Sequence, residues 1–143
     1  MEIRALGIGD LPLICGASPG LFDHRVKPDQ ARAFLESPLC EMVAAVAGED
    51  LLAFASGTVL LHPDKAPNLF VNEVGTREGH RRQGLASAVC RALFDRARVR
   101  GCEGIWLGAE PEDGPALALY RRLGGEERVF VGFAWDGGFG PPG

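Results

Sequence analysis

Residues 72 to 87 read Asn-Glu-Val-Gly-Thr-Arg-Glu-Gly-His-Arg-Arg-Gln-Gly-Leu-Ala-Ser and lead directly into a helical pattern that continues to Arg100. The preceding residues, 69 to 74, favour a strand, and the glycines between strand and helix allow a tight loop. Apolar residues then recur at helical spacing, at Leu85, Val89, Ala92, Leu93 and Ala97. The first N–H groups of a helix have no partner inside the helix and lie at the positive end of its dipole. The basic loop is therefore predicted to bind an anion, most naturally a phosphate.

Two common phosphate-binding motifs are absent from this loop. No lysine follows Gly84, which excludes the nucleoside-triphosphate loop, and the dinucleotide fingerprint Gly-x-Gly-x-x-Gly does not occur between residues 72 and 87. The pattern that remains is Arg81-x-x-Gly84-x-Ala86. It resembles the signature Gln/Arg-x-x-Gly-x-Gly/Ala of the GNAT superfamily of N-acetyltransferases. The resemblance implies that the loop holds the pyrophosphate of acetyl-coenzyme A.

A second segment strengthens this resemblance. Residues 113 to 125 read Asp-Gly-Pro-Ala-Leu-Ala-Leu-Tyr-Arg-Arg-Leu-Gly-Gly and follow a strand-like run, Gly104 to Ala109. They are similar to the GNAT segment in which a strand leads to a short helix ending Leu-Tyr-x-x-Leu-Gly. Either Gly124 or Gly125 suits a left-handed cap at the end of this helix. The resemblance implies that Tyr120 is the general acid, although a tyrosine that packs in the core would fit the same pattern.

The length and composition indicate a globular domain. A chain of 143 residues with 46% hydrophobic and 24% charged residues can bury an ordinary core. We expect a single N-acetyltransferase domain over residues 1–136 and a flexible Gly/Pro tail over residues 137–143.

Charge and cysteine usage limit the classes of partner. A net charge of −4 argues against nucleic-acid binding, and no apolar run is long enough for a membrane span or a signal core. The four cysteines form no Cys-x-x-Cys pair and no histidine stands at ligand spacing from them, so no metal site is predicted. We expect a cytoplasmic protein whose cysteines are buried small apolar residues: Cys15, Cys40, Cys90 and Cys102.

The order of predicted elements is strand, two helices, three strands, helix, strand, helix and strand. The first helix is expected from Gly9-Asp10 to about Leu21, the second over Pro28 to Glu36, and the last strand over Arg128 to Trp135. This order matches the GNAT acyltransferase fold, of the α/β (mixed α+β) class. The resemblance implies a mixed, mostly antiparallel sheet of six to seven strands flanked by about four helices. That sheet is splayed between the strands ending near Thr76 and Ala109.

The resemblance also implies which residues hold the cofactor. Backbone groups of Val74, Gly75 and Thr76 would bond the pantetheine arm, with the Val74 N–H stabilising the oxyanion. The pyrophosphate would be surrounded by Arg81, Arg82, Gln83, Gly84, Leu85, Ala86 and Ser87. Ala116 and Asp113 complete the predicted cofactor site. Because Asp113 replaces the asparagine of many relatives, its carboxylate can only accept a hydrogen bond there.

Three residues are candidates on the acceptor side. A carboxylate in an otherwise apolar strand is costly unless it is paired, so Glu73 is predicted to take the amine proton or to hold a cationic substrate. Glu110, at the end of the next strand, and His24, between the first two helices, are predicted to contact the acceptor. The neighbouring charges Asp23, Asp29 and Glu36 are candidates too, with ordinary solvated side chains as the alternative for all of them.

The predicted function is transfer of an acetyl group to a primary amine of a small molecule by direct attack in a ternary complex. The second half of the chain resembles the aminoglycoside 3-N-acetyltransferases, which favours an aminoglycoside or polyamine acceptor. Acetylation of a protein N-terminus or lysine, and a non-catalytic acyl-coenzyme A sensor, remain alternatives. Relatives often dimerise through the last strand, so a homodimer is expected; Phe130, Phe133 and Trp135 suit that interface or a core equally well.

Overall fold

The computed structural model describes residues 1–140. Its strands are β1 Glu2–Ala5, β2 Cys40–Ala47, β3 Asp50–Leu60, β4 Asn68–Thr76 and β5 Gly104–Trp106. Its helices are a 3-10 helix Ile8–Asp10, α1 Leu11–Cys15, α2 Pro28–Glu36, α3 Leu85–Val99 and α4 Gly114–Arg122. The predicted order of elements is confirmed as far as α4. The last three residues of the predicted tail, 141–143, lie outside the described residues.

The strands form one sheet in the order β1-β2-β3-β4-β5. Neighbours from β1 to β4 are antiparallel, and β4 pairs with β5 in parallel. The mixed, mostly antiparallel sheet is thus confirmed, but it has five strands within the described residues rather than six to seven.

The missing strand is the predicted last one. Residues 128–135 lie in the structure without regular secondary structure, and their side chains are exposed. Apolar, β-branched sequence alone does not make a strand, because a strand also needs a neighbour for its backbone hydrogen bonds. β5 is likewise shorter than the predicted run to Ala109, since it pairs with β4 over only three residues.

The first helix is also shorter than predicted. α1 ends at Cys15 instead of continuing to about Leu21. Pro19 removes a backbone donor, and Gly20 has a φ of 90°, a left-handed conformation that breaks a right-handed helix. The chain from Gly16 to Lys27 is therefore a long loop, which crosses the sheet on its way to α2.

The sheet is covered on both faces. α3 packs on one face, where Val89 and Leu93 are fully buried in the larger core cluster. α1, α2 and the loop between them cover the other face, where Ile14, Leu21 and Phe54 form a second cluster. Burial on both faces explains why β2 and β3 are almost continuously apolar.

A buried ion pair joins β2 to the end of α3. Glu41 is buried and accepts hydrogen bonds from Nε and Nη2 of Arg96, both at 3.1 Å, and from Nη1 of Arg100 at 2.8 Å. Arg100 also donates to the carbonyl oxygen of Pro38. The carboxylate is thereby paired despite its position in the core strand.

Candidate active site

A β-bulge in β4 sets the direction of Glu73. Ser56 of β3 faces Glu73, whereas the next residue, Gly57, faces Val71, so Asn72 is an extra residue in β4. Such a bulge bends the strand and reverses the alternation of its side chains. Leu69 and Val71 before the bulge and Val74 after it all pack in the α3 cluster. Without the extra residue, Glu73 would point into that core.

The two parallel strands, β4 and β5, separate next to this bulge. The last pair of the β4–β5 ladder is Phe70 with Trp106. β4 continues to Thr76, bent by the bulge, while the chain after β5 leads away towards α4. The predicted splay is confirmed, and it opens a cleft of about 290 Å³ between the two strands.

The cleft brings together residues from five parts of the chain. It is lined by the Leu21–Asp23 loop, Phe54, residues 72–74 of β4, residues 108–110 after β5, and Asp113, Ala116 and Tyr120. Seven of the predicted site residues are among them: Asp23, Glu73, Val74, Glu110, Asp113, Ala116 and Tyr120. The cleft is not lined by Gly75, Thr76, His24 or the basic loop. Asp29 and Glu36 lie on α2, outside the cleft lining. Glu36 pairs there with Arg32 at 3.6 Å.

The carboxylate of Glu73 is more basic than usual. Partial burial raises the pKa of Glu73, the negative charge of Asp23 raises it further, and His24 lowers it. The bulge turns Glu73 out of the apolar core and exposes it to the cleft. Its environment nevertheless suits a group that accepts a proton from an amine.

Tyr120 enters the same cleft from α4. Its ring is half-buried, and burial raises the pKa of Tyr120, with smaller contributions from Cys90 and Asp113. The phenol therefore stays protonated at neutral pH and can donate a proton. The cleft thus holds a carboxylate suited to accept a proton and a hydroxyl suited to give one.

Asp113 has a structural role that the sequence reasoning missed. It is the N-cap of α4, and its side chain accepts a hydrogen bond from the N–H of Ala116 at 3.2 Å. An aspartate followed by Gly-Pro at a helix start is a typical capping signal. One carboxylate oxygen is therefore used within the protein.

The basic loop has the backbone of an anion-binding turn. Gly79, Arg82 and Gly84 all adopt left-handed conformations, with φ of 88°, 65° and 75°. Gly84 caps α3, and no side chain bonds the first N–H groups of that helix within the described residues. The side chains of Arg81, Arg82 and Gln83 are exposed around it. By contrast Leu85 is buried in the core and anchors the helix start, so only its backbone faces the loop.

Metal-ligand groups, membrane-spanning helices and paired cysteines are not found among the described residues. Within residues 1–140 there is no group of three or more metal-ligating side chains, and none of the helices has the length and apolarity required to span a bilayer. All four cysteines are unpaired. Burial raises the pKa of Cys90 to about 11, which makes it an inert core residue, but Cys15 is exposed and the expectation of burial is wrong there.

Residues 13–125 match the model of the acetyltransferase (GNAT) family. The chain belongs to the GNAT family. The sequence signature at Arg81-x-x-Gly84-x-Ala86 and the splayed sheet are therefore features of one family, and the predicted fold is confirmed. GNAT acetyltransferases use acetyl-coenzyme A.

Individual GNAT relatives differ in their acceptors. The streptothricin acetyltransferase of Streptomyces lavendulae is 32% identical over 82 residues, which are 57% of this chain and 42% of that protein. The chain thus matches less than half the length of that relative. Among solved structures, the aminoglycoside N-acetyltransferase AAC(6')-Iy in complex with coenzyme A aligns with a TM-score of 0.78 at 20% identity, covering 95% of this chain and 94% of that one. The ribosomal-protein-alanine N-acetyltransferase of Brucella melitensis aligns with a TM-score of 0.76 at 20% identity, covering 94% and 99%. Enzymes named for small-molecule and for protein acceptors share this fold, so the fold alone does not select the acceptor.

Proposed function

We propose that this chain transfers an acetyl group from acetyl-coenzyme A to a primary amine of a small molecule, by direct attack within a ternary complex. The observation that carries the proposal is that Glu73 and Tyr120 line one cleft, at the point where β4 and β5 separate. A proton acceptor and a proton donor on one small cleft match the needs of amine acetylation. Membership of the GNAT family supports the reaction class.

The structure has features that fit acetyl-coenzyme A. Within the described residues, the edge of β4 beyond Phe70 has no strand neighbour on its β5 side, so Val74, Gly75 and Thr76 can bond the pantetheine arm as a substitute strand. At the end of that edge, the left-handed loop and the uncapped N-terminus of α3 suit a pyrophosphate. We assign that group to the backbone from Arg81 to Ser87, with Ala116 and Asp113 beside the arm. Acetyl-coenzyme A would supply the activated thioester.

The proposed chemistry uses three groups of the chain. The carboxylate of Glu73 takes a proton from the acceptor ammonium, directly or through one water, and leaves a neutral amine. The amine attacks the thioester carbonyl carbon, and the Val74 N–H stabilises the oxyanion that forms. When the carbon–sulfur bond breaks, the Tyr120 hydroxyl gives its proton to the leaving thiolate. The nitrogen loses its extra proton, which returns through water to the Tyr120 phenolate, so the products are the neutral amide and the free thiol. The raised pKa of Glu73 favours the first transfer, and the raised pKa of Tyr120 keeps its hydroxyl protonated until the thiolate leaves.

The acceptor is proposed to be a small, positively charged amine such as an aminoglycoside or a polyamine. Asp23, Glu73, Glu110 and Asp113 all line a cleft of about 290 Å³. Carboxylates attract ammonium groups, and the volume is small for a folded protein partner. Glu110 is proposed to contact the acceptor directly, and His24, close enough to lower the pKa of Glu73, to lie at the cleft entrance.

We further propose a single catalytic domain over residues 1–136, acting in the cytoplasm as a homodimer. The four unpaired cysteines support a reducing compartment. Large apolar side chains exposed near the C-terminus support self-association.

The test is release of free thiol from acetyl-coenzyme A across aminoglycosides, polyamines, amino acids and short peptides, with Tyr120→Phe in parallel. Turnover on one of the small amines is expected, and the variant should lose roughly 100-fold in kcat because the thiolate then leaves without a proton donor. Affinity for coenzyme A, measured by calorimetry, should stay unchanged in the variant. Turnover on peptides alone would indicate a protein acceptor. Binding of coenzyme A without turnover on any amine would indicate a sensor.

A further inference from the structure

The sheet face that carries Glu73 continues beyond the cleft as an open surface. Side chains alternate along β3, so Ser56, opposite Glu73, and Thr58 lie on the same face. Thr58 is opposite Phe70, which therefore lies on that face too. The cluster under α1 and α2 covers this face at Phe54. Phe70 belongs to neither core cluster and is only partly buried, so this end of the face stays accessible.

A second aromatic ring lies beside Phe70. Trp106 of β5 is the register partner of Phe70, and the two ring centroids are 4.5 Å apart. The chain neighbours of Trp106, Ile105 and Leu107, pack in the α3 cluster. Trp106 therefore points to the opposite face, which is the face of Glu73. Its side chain is 48% exposed, so the aromatic pair offers an accessible ring next to the cleft.

Asn72 connects the aromatic pair to the cleft. It is the extra residue of the bulge, precedes Glu73 and lines the cleft. Its Nδ2 donates to the hydroxyl of Thr58 at 2.9 Å, and Thr58 faces Phe70 across the two strands. The same hydroxyl lies 3.3 Å from the amide oxygen of Asn72, which keeps a lone pair for a further donor. The cleft, the amide and the aromatic pair thus form one continuous surface.

All three parts of this surface favour a positive charge. The faces of aromatic rings are negative and attract ammonium groups, tryptophan most strongly. The Asn72 oxygen accepts hydrogen bonds. The adjoining cleft carries four carboxylates: Asp23, Glu73, Glu110 and Asp113. A neutral apolar group would use the rings alone, whereas an ammonium group would interact favourably with all three parts.

The strand geometry gives the distance from the cleft to the aromatic pair. The residues of β3 opposite Glu73 and Phe70 are two apart, so these two positions on β4 are separated by roughly 7 Å. Trp106 lies one strand further out, which adds roughly 5 Å at right angles. A cation over Trp106 is therefore roughly 8 Å from an amine beside Glu73.

We propose that the acceptor carries at least two ammonium groups, and that one reacts beside Glu73 while a second binds over the Phe70–Trp106 pair next to Asn72. This inference rests on the proposed function and deepens it, because it restricts the acceptor to diamines and larger polycations. A monoamine fills the cleft alone. Linear polyamines and aminoglycosides both supply a second ammonium group.

Straight-chain diamines test the second position and its distance. In acetyl-transfer assays the KM should be lowest for diamines with five or six methylenes, whose extended chains span roughly 8 Å. The matched alkyl monoamine, with a methyl group in place of the second amine, should have a KM roughly tenfold higher. A monoamine that performs as well as the diamine would show that the rings bind an apolar chain, and would overturn the inference.

Spermidine and neamine distinguish the two sources of the second cation. Both should have a lower KM than the monoamine, and the one with the higher kcat/KM identifies a linear or a ring-bearing acceptor. If neither has a lower KM than the monoamine, the second position does not bind a cation.

Two substitutions separate the charge of the ring face from simple packing. Trp106→Leu keeps an apolar side chain without a ring, and should raise the KM of the best diamine roughly tenfold. Trp106→Phe keeps an aromatic face and should retain most of the preference for the diamine. Calorimetric titration with coenzyme A verifies that both variants are folded. An undiminished preference for the diamine in Trp106→Leu would exclude a role for the ring.

Binding at Trp106 can be measured without turnover. The chain has two tryptophans, so Trp135→Phe leaves Trp106 as the only one. Trp135 is exposed and lines neither the cleft nor the groove beside β5. With coenzyme A present, the best diamine should quench the emission of Trp106 saturably, and the matched monoamine should require roughly tenfold higher concentrations. Unchanged emission at saturating diamine would contradict the proposed site.

The outcomes separate this site from the proposed function. Saturable quenching of Trp106 by diamines without any acetyl transfer contradicts the reaction and supports the site. Acetyl transfer with equal KM for diamines and monoamines, unaffected by Trp106→Leu, supports the reaction and overturns the site.

Discussion

The backbone carbonyl of Leu21 lies directly over Gly75, and a Cβ built on Gly75 would come within 2.6 Å of that oxygen. The same Cβ would lie 2.7 Å from Cε1 of Phe54, on the neighbouring strand. The loop before α2 therefore rests on β4 at a position where only glycine fits. Because residues 21–23 of this loop line the cleft, the contact positions this wall of the cleft.

Gly75→Ala should lift this loop away from β4. Overpacking of this kind costs roughly 1–3 kcal/mol in stability. We expect the KM for the amine to rise about tenfold, while the affinity for coenzyme A, set mainly by the loop at Arg81 to Gly84, changes less. Steady-state kinetics with the amine varied, together with calorimetry of coenzyme A, measure the two effects. Gly9→Ala is the control, because a Cβ there meets nothing within 4 Å; equal KM values for the two variants would contradict the role of Gly75.

Asp23→Asn should change the pH dependence of the reaction. The charge of Asp23 contributes to the raised pKa of Glu73, so its removal lowers that pKa. Because Glu73 must be ionised to accept a proton, activity should persist to lower pH, and the acid limb of kcat/KM should move in that direction. Asp29→Asn, on α2 and outside the cleft lining, should leave the limb in place. An acid limb that does not move in Asp23→Asn, or that survives in Glu73→Gln, would assign the base elsewhere.

Gly84→Val should weaken coenzyme A binding by at least tenfold. Gly84 has a φ of 75°, and a side chain there adds both strain and bulk at the proposed phosphate site at the start of α3. Gly101, just beyond the other end of α3, has a φ of 77° and open space around it. Gly101→Val should therefore cost similar stability but leave the affinity unchanged. Calorimetric titration of both variants with coenzyme A decides, and equal losses of affinity would show that Gly84 acts only through stability.

Glu41→Ala should destabilise the fold by about 3 kcal/mol. The mutation removes the partner of Arg96 and Arg100 at a buried position and leaves a cavity in β2. Arg98→Ala is the matched control on α3, since its pair with Asp95 is exposed and should be worth no more than about 0.5 kcal/mol. Urea unfolding of the two variants gives the comparison; a difference below about 1 kcal/mol would show that the buried carboxylate adds little.

Local patterns were sufficient to predict several elements. β4, α2 and the start of α3 follow from strand propensity, from Pro28 in a first helical turn, and from apolar residues at helical spacing. The left-handed conformation of Gly124 also follows from its position at the end of a helix. These features depend on neighbours close in sequence, which one chain displays directly.

The direction of Glu73 required the tertiary structure. Propensity and spacing identify Glu73 as a residue of β4, but Asn72 becomes an extra residue only through the register with β3. The contact between Gly75 and Leu21, and the effect of Asp23 on Glu73, likewise join residues about fifty positions apart. No local pattern encodes such approaches.

Residues 128–135 also separate what composition specifies from what the fold decides. Their composition favours β-structure, yet they form no strand in the described chain. The sequence by itself determined the family signature, the order of elements as far as α4, and which residues are proposed to carry the chemistry. Only the tertiary structure decided the bulge, the short length of β5 and its unpaired edge, because strand register and pairing depend on hydrogen bonds between distant parts of the backbone.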